Sequence, residues 1–170
     1  MMRRLTDKRR RPILAAVLLL ILGGLVLRHF FFSPEIREFN HYSVTDFGLG
    51  ERIDGINSAE ELTGALPGYE YFTDERGSGL SSKHADTRYY LGEYAGRYCV
   101  IGFVSRDVHY SALSISIGDP ELDSRTLLLS DGYRMINGAH NRCTASNGTV
   151  TVELGFTMGI VTEIAAFIED

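Results

Sequence analysis

The side chains able to do chemistry in this 170-residue chain are few and scattered. Cys99 and Cys143 are its two cysteines, and their spacing lacks the Cys-x-x-Cys pattern of a redox pair or a metal knuckle. A bridge between them would close a loop of about 45 residues and contribute on the order of 4 kcal/mol by restricting the unfolded chain. They are therefore read either as a structural disulfide or as two inert thiols, and not as a nucleophile or redox pair. His41, His84, His109 and His140 show no His-x-x-x-His or Glu-paired spacing that would set two metal ligands on one face. Asp119, Glu121 and Asp123 start like a calcium loop, but Ser124 stands where the loop needs glycine and Ser130 where it needs a bidentate glutamate. The segment reads as a solvated acidic turn opened by Pro120.

Nucleophiles fare no better. Gly-x-Ser-x-Gly is absent, and Ser78, Ser81, Ser82 and His84 share a polar stretch with no sign of an oxyanion hole. Lys83 is not three residues after a serine, since position 80 is Leu. Gly77 and Gly79 lack the Walker spacing of a phosphate loop. The sequence thus assigns no catalytic residue, no metal ligand and no cofactor.

Surface recognition remains. Tyr89, Tyr90, Tyr94, Tyr98 and Tyr110 fall in or beside the predicted central strands, and tyrosine combines a large contact area with one hydroxyl. These five form the candidate binding surface.

The segments that must position such groups begin with a membrane anchor. Residues 1–11 carry Arg3, Arg4, Lys8, Arg9, Arg10 and Arg11 against Asp7 and read as a cytoplasmic tail. Pro12 to Leu27 is a charge-free run worth about 24 Å of helix, and extension to Phe32 gives about 31 Å. The span 12–32 fits a bilayer when Arg28 snorkels and Phe30, Phe31 and Phe32 lie at the outer interface. A cleaved signal peptide would need small residues at −3 and −1, which the exit His29-Phe30-Phe31-Phe32-Ser33-Pro34 does not supply. Residues 33–40 then form a linker, and 41–170 an extracytoplasmic domain.

Charge divides with that topology. The chain holds 17 basic and 22 acidic residues; 7 basic and 1 acidic lie in 1–28, which leaves −11 on residues 29–170. An acidic exterior excludes nucleic acid as a partner, because phosphate contacts need clustered Lys and Arg.

Within the domain, His41–Phe47 reads as a strand, and Ser58 with Glu61 opens a short helix through Leu62 and Leu66 that Pro67-Gly68 stops. Thr73–Thr87 reads as an exposed loop. Arg88–Tyr94 and Arg97–Ser105 make a hairpin about Ala95-Gly96, and Tyr110–Ile117 alternates as a further strand. Asp131-Gly132, Asn137-Gly138 and Asn147-Gly148 punctuate a meander of TLLLS, YRMI, AHNRCTAS and TVTVELGFT, and Met158-Gly159 leads to a last strand, Ile160–Ile168. The predicted class is α+β, mostly antiparallel β with one short helix, behind one N-terminal transmembrane helix.

One internal echo stands out. Cys99-Val100-Ile101-Gly102-Phe103 and Val152-Glu153-Leu154-Gly155-Phe156 recur at an offset of 53. Two helix-plus-hairpin repeats of this kind would resemble the duplicated small folds of bacterial envelope proteins such as β-lactamase-inhibitory proteins. The expected function is a single-pass membrane protein whose outer domain is a non-enzymatic binding or assembly module for another envelope protein or a saccharide. The alternative is a membrane-tethered envelope hydrolase that works through paired carboxylates.

Overall fold

The structure, a computed structural model, describes Val17 and residues 33–64, 66–139 and 141–169. The predicted tail, the span and its interface residues Arg28, Phe30, Phe31 and Phe32 lie outside the described residues, as does His140. Among the described residues, no helix is long and apolar enough to cross a membrane.

The first described element is helix α1, Pro34–Tyr42. Proline at the first helical position gives up an N–H that has no partner anyway, and Glu35 complements the positive end of the helix dipole. Ile36 and Phe39, three residues apart, share the face that enters the core. Asn40 extends the anchoring: its amide donates to the Leu49 carbonyl at 2.8 Å and accepts from the Leu49 N–H at 2.9 Å. The folded unit therefore starts at Pro34. Residues 34–40, expected as linker, and His41-Tyr42, expected in a strand, are helix, because Ile36 and Phe39 are apolar at helical spacing.

Ser58 and Glu61 begin a single 3-10 turn, Ala59–Thr63, in place of an α-helix. The capping box is not made: the Glu61 carboxylate accepts from the backbone N–H of Asn57, one residue before the N-cap, and the Ser58 hydroxyl caps nothing. Among the described residues ten strands follow: β1 Tyr69–Asp74, β2 Gly77–Ser82, β3 Thr87–Tyr94, β4 Arg97–Ser105, β5 Ser111–Ala112, β6 Ile115–Ser116, β7 Arg134–Ala139, β8 Arg142–Ser146, β9 Val150–Thr157 and β10 Ile160–Ile168. A second helix, α2 Glu121–Ser130, separates β6 from β7.

Eight of the strands form one antiparallel sheet in the order β1-β2-β3-β4-β10-β9-β8-β7. It is two four-stranded meanders joined where β4 meets β10. Arg97 and Ile160 open the last strand of each half, 63 positions apart, as Thr87 and Val150 open the third. The two-residue turns match as well: Ala95-Gly96 and Met158-Gly159 all have positive φ, the type I′ geometry whose twist suits a tight hairpin. Phe103 pairs with Ala166, again 63 residues on, so the seam passes through equivalent positions. The echo at offset 53 aligns β4 with β9, one strand out of step with this duplication.

Four segments differ from expectation. Thr73–Thr87 holds β2, a strand made of Gly and Ser whose single apolar residue, Leu80, is fully buried. Tyr110–Ile117 folds back on itself, since Leu113 and Ser114 take positive φ between two-residue strands. GDPELDS and TLLLS are one helix, α2, entered through Pro120 and ended by a Schellman motif in which Tyr133 N–H donates to Leu128 O and Gly132 N–H to Leu129 O. Asn137-Gly138 lies inside β7 beside a bulge, not in a turn.

One face of the sheet is the core. Tyr89, Phe103, Val150, Val152, Leu154, Ile164 and Ala166 are buried there along with Ile36, Phe39, Leu49, Leu62, Leu113, Ile115 and Leu128 from the helices and connections. Phe39 lies 6.2 Å from Phe103, ring centre to ring centre. Among the described residues, the other face carries no helix.

Candidate functional site

Strand alternation decides what that second face presents. Cross-strand pairing aligns Phe72, Gly79, Tyr90, Gly102 and Phe167 in one row across β1, β2, β3, β4 and β10. Rings and glycines alternate, and they need each other. A Cβ on Gly102 would lie 2.1 Å from the Phe167 ring, and one on Gly79 1.9 Å from the Tyr89 carbonyl. The rings meet at 5.2 Å for Phe72–Tyr90 and 5.4 Å for Tyr90–Phe167, the first pair nearly perpendicular.

Above the row lies a layer of charge. The Arg76 guanidinium sits 5.2 Å over Phe167 and that of Arg88 5.3 Å over Phe72. Arg76 pairs with Glu153 at 2.9 Å, Arg88 with Asp74 at 3.5 Å, and Glu163 holds both Arg106 at 2.5 Å and Arg142 at 3.6 Å. Asp74, Arg76, Arg88, Arg106, Arg142 and Glu163, with Asp86, surround a hollow of about 170 Å³ that Tyr90 and Val104 also line. Burial pushes the Asp74 carboxyl up, but the Arg76 backbone N–H, the Tyr90 hydroxyl and Arg88 outweigh it and hold Asp74 below the ordinary value. Burial, then the same carboxylate, drive the Tyr90 phenol up to about 12.

A second cluster lies where the ends of β2 and β4 meet the start of β1. The Tyr69 hydroxyl donates to one oxygen of Asp46 and the Tyr110 hydroxyl to the other, each at 3.0 Å. The Asp46 backbone N–H donates to the Tyr89 hydroxyl oxygen at 2.9 Å. Burial first, then Asp46 and Asp107, push the Tyr110 phenol up to about 12; burial and Asp46 also raise Tyr69. These groups, with Pro67, Gly68, Ser82, His84, Ala85 and His109, line an open bowl of about 620 Å³.

The five tyrosines expected to share a surface are divided. Tyr89 is fully buried on the core face, Tyr90 belongs to the ring row of the opposite face, and Tyr110 lines the bowl. Tyr94 and Tyr98 flank the β3–β4 turn, half-buried. The arginines and glycines of the open face escaped the sequence reading, although a glycine inside a strand pattern signals close approach of a neighbour.

Cys99 and Cys143 are free, buried thiols. They stand on β4 and β8 with β10 and β9 between, about 14 Å across the sheet at ~4.8 Å per strand, beyond the roughly 7 Å a disulfide spans. Of the two readings, the bridge is therefore not made, and the cysteines stand as two buried thiols. Burial raises both thiols, against the opposing pull of Arg97 on Cys99 and Arg125 on Cys143. Among the described residues, no group of three His, Cys, Asp or Glu is placed to hold a metal ion.

No family model, no curated protein and no solved structure matches this chain.

Proposed function

We propose that the chain is a single-pass membrane protein, N-terminus inside, whose extracytoplasmic domain is a non-enzymatic binding module that engages a partner protein through the open face of its sheet. The observation that carries this reading is the charge of that face. Arg76, Arg88, Arg106, Arg134 and Arg142 stand there against Glu70, Asp74, Asp86, Glu153 and Glu163, so these ten side chains are net neutral while residues 29–170 carry −11. A net-neutral set of this kind adds no like-charge repulsion against a protein surface. Its make-up also suits the role, since arginine and tyrosine are among the side chains that dominate binding energy at interfaces, and here Arg76 and Arg88 lie over Phe167 and Phe72 beside Tyr90.

The hydrolase alternative has less support. Hydrolysis by paired carboxylates needs one acid with a raised pKa. Glu60, Asp74 and Glu169 are shifted down, and Glu163 is tied to two guanidinium groups.

A photo-crosslinking side chain at Val104, which lines the hollow, tests the proposal in the native membrane. It should form one discrete adduct that Arg88→Glu abolishes, while the same probe at Glu60 in the 3-10 turn forms none. Equal adducts at both positions would overturn it.

A further inference from the structure

We infer that the bowl around Asp46 is a binding site for an organic ammonium group. The site is independent of the open face, since it lies at the end of the sheet and shares no residue with the arginine hollow. Its volume, about 620 Å³, falls in the ordinary range for small-ligand sites. Its lining contains two carboxylates, Asp46 and Asp107, two tyrosine rings, Tyr69 and Tyr110, and two imidazoles, His84 and His109, with no Lys or Arg among them.

Three features select a cation over a neutral or anionic ligand. First, the bowl gathers two carboxylates: Asp46 accepts from the Tyr110 hydroxyl at 3.0 Å, and Asp107 lies in the same lining and also raises that phenol. Second, the cluster is rigid before any ligand arrives. Tyr69 and Tyr110 spend their hydroxyl protons on Asp46, while Tyr69 is held by Phe47 at 5.4 Å and Tyr89 at 6.3 Å. A carboxylate fixed by two donors keeps lone pairs for an N–H. Third, the domain's net negative charge raises the local concentration of cations. An anion would meet two carboxylates and no fixed positive partner.

The amine head is common to free polyamines and to a lysine side chain, and the test separates these sources. The full chain, solubilised in non-ionic detergent, is titrated with butylammonium chloride while backbone amide signals of Asp46, Gly68, Ala85 and Asp107 are followed by NMR. Saturable shifts are expected with butylammonium and not with 1-butanol, its neutral isostere, or with sodium chloride. Asp107→Asn should weaken binding about tenfold, the order expected for one partly screened charge contact. Asp46→Asn should weaken it at least as much, and an unchanged amide spectrum elsewhere shows that the variant folds. Spermidine binding more tightly than N-acetyl-lysine methylamide points to a free polyamine, and the reverse order to a protein lysine; either order sustains the ammonium site. Equal shifts with butanol, shifts reproduced by sodium chloride, or retention of affinity in Asp107→Asn and Asp46→Asn would overturn it.

Discussion

Removal of the Phe39 side chain tests whether the domain begins at Pro34. Phe39 is 1% exposed and meets Phe103 in the middle of the seam between the two halves of the sheet. Phe→Ala in such a site costs about 3–5 kcal/mol, a figure that includes the cavity left behind. A domain of this size has roughly 5–15 kcal/mol in total, and each kcal/mol moves the melting temperature by about 3–5 °C. Phe39→Ala should therefore melt some 10–20 °C lower in a thermal scan of the near-ultraviolet circular dichroism, with an equivalent loss in urea. Tyr42→Ala, one turn on and 49% exposed, is the control and should stay within about 0.5 kcal/mol. A chain cut to start at His41 loses Ile36 as well and should not fold, whereas one starting at Pro34 should. A loss below about 1 kcal/mol in Phe39→Ala, or a cooperative transition in the chain from His41, would refute the claim that α1 is part of the core.

Three further outcomes are expected. Gly79→Ala forces a Cβ into the Tyr89 backbone carbonyl, which cannot swing aside as a side chain can, so it should cost about 3 kcal/mol in urea unfolding; an effect under 0.5 would contradict the ring-and-glycine row. Met158→Asn should stabilise by about 0.5–1 kcal/mol, because Met158 is 95% exposed at φ 52, a left-handed conformation that asparagine tolerates better; destabilisation would show that Met158 is held by something other than the turn. Tyr90 and Tyr110, both raised to about 12 from an ordinary 10, contribute stability that is complete below about pH 10 and lost as pH rises toward 12. Tyrosinate absorbance should accordingly show a late-ionising group that appears together with alkaline unfolding, and a single transition centred near 10 in the folded protein would count against it.

What the sequence made legible follows one physical rule. Where a strand is wet on one face, apolar residues alternate, and the reading of β9 through Val150, Val152, Leu154 and Phe156 agrees with the burial observed. The β3–β4 and β9–β10 turns were equally visible, since Gly96 and Gly159 mark them. The misses share the opposite property. β2 is packed by glycines that leave room for neighbouring chain atoms, so its pattern is an absence of side chains and resembles a loop. α2 carries Leu122 and Leu129 on its exposed side and hides Ser124, so its periodicity is blurred and its termini, Pro120 and Asp131-Gly132, resemble turns. The two clusters were harder still. Asp46 and Tyr110 are 64 positions apart, as Arg76 and Glu153 are 77, and no local spacing encodes such a meeting.

The seam between β4 and β10 bears on how the chain reaches this structure. Six of the seven pairings in the large sheet join strands that follow one another, and these hairpins can close within microseconds of collapse. The seventh joins Ser105 to Ile164, so it must wait until some 60 residues have been ordered or looped out. Each half can thus zip by itself, and the rate-limiting encounter is between two preformed meanders. A chain severed between β4 and β5, near the exposed Val108, has lost no hairpin and retains the means to reassemble from two pieces.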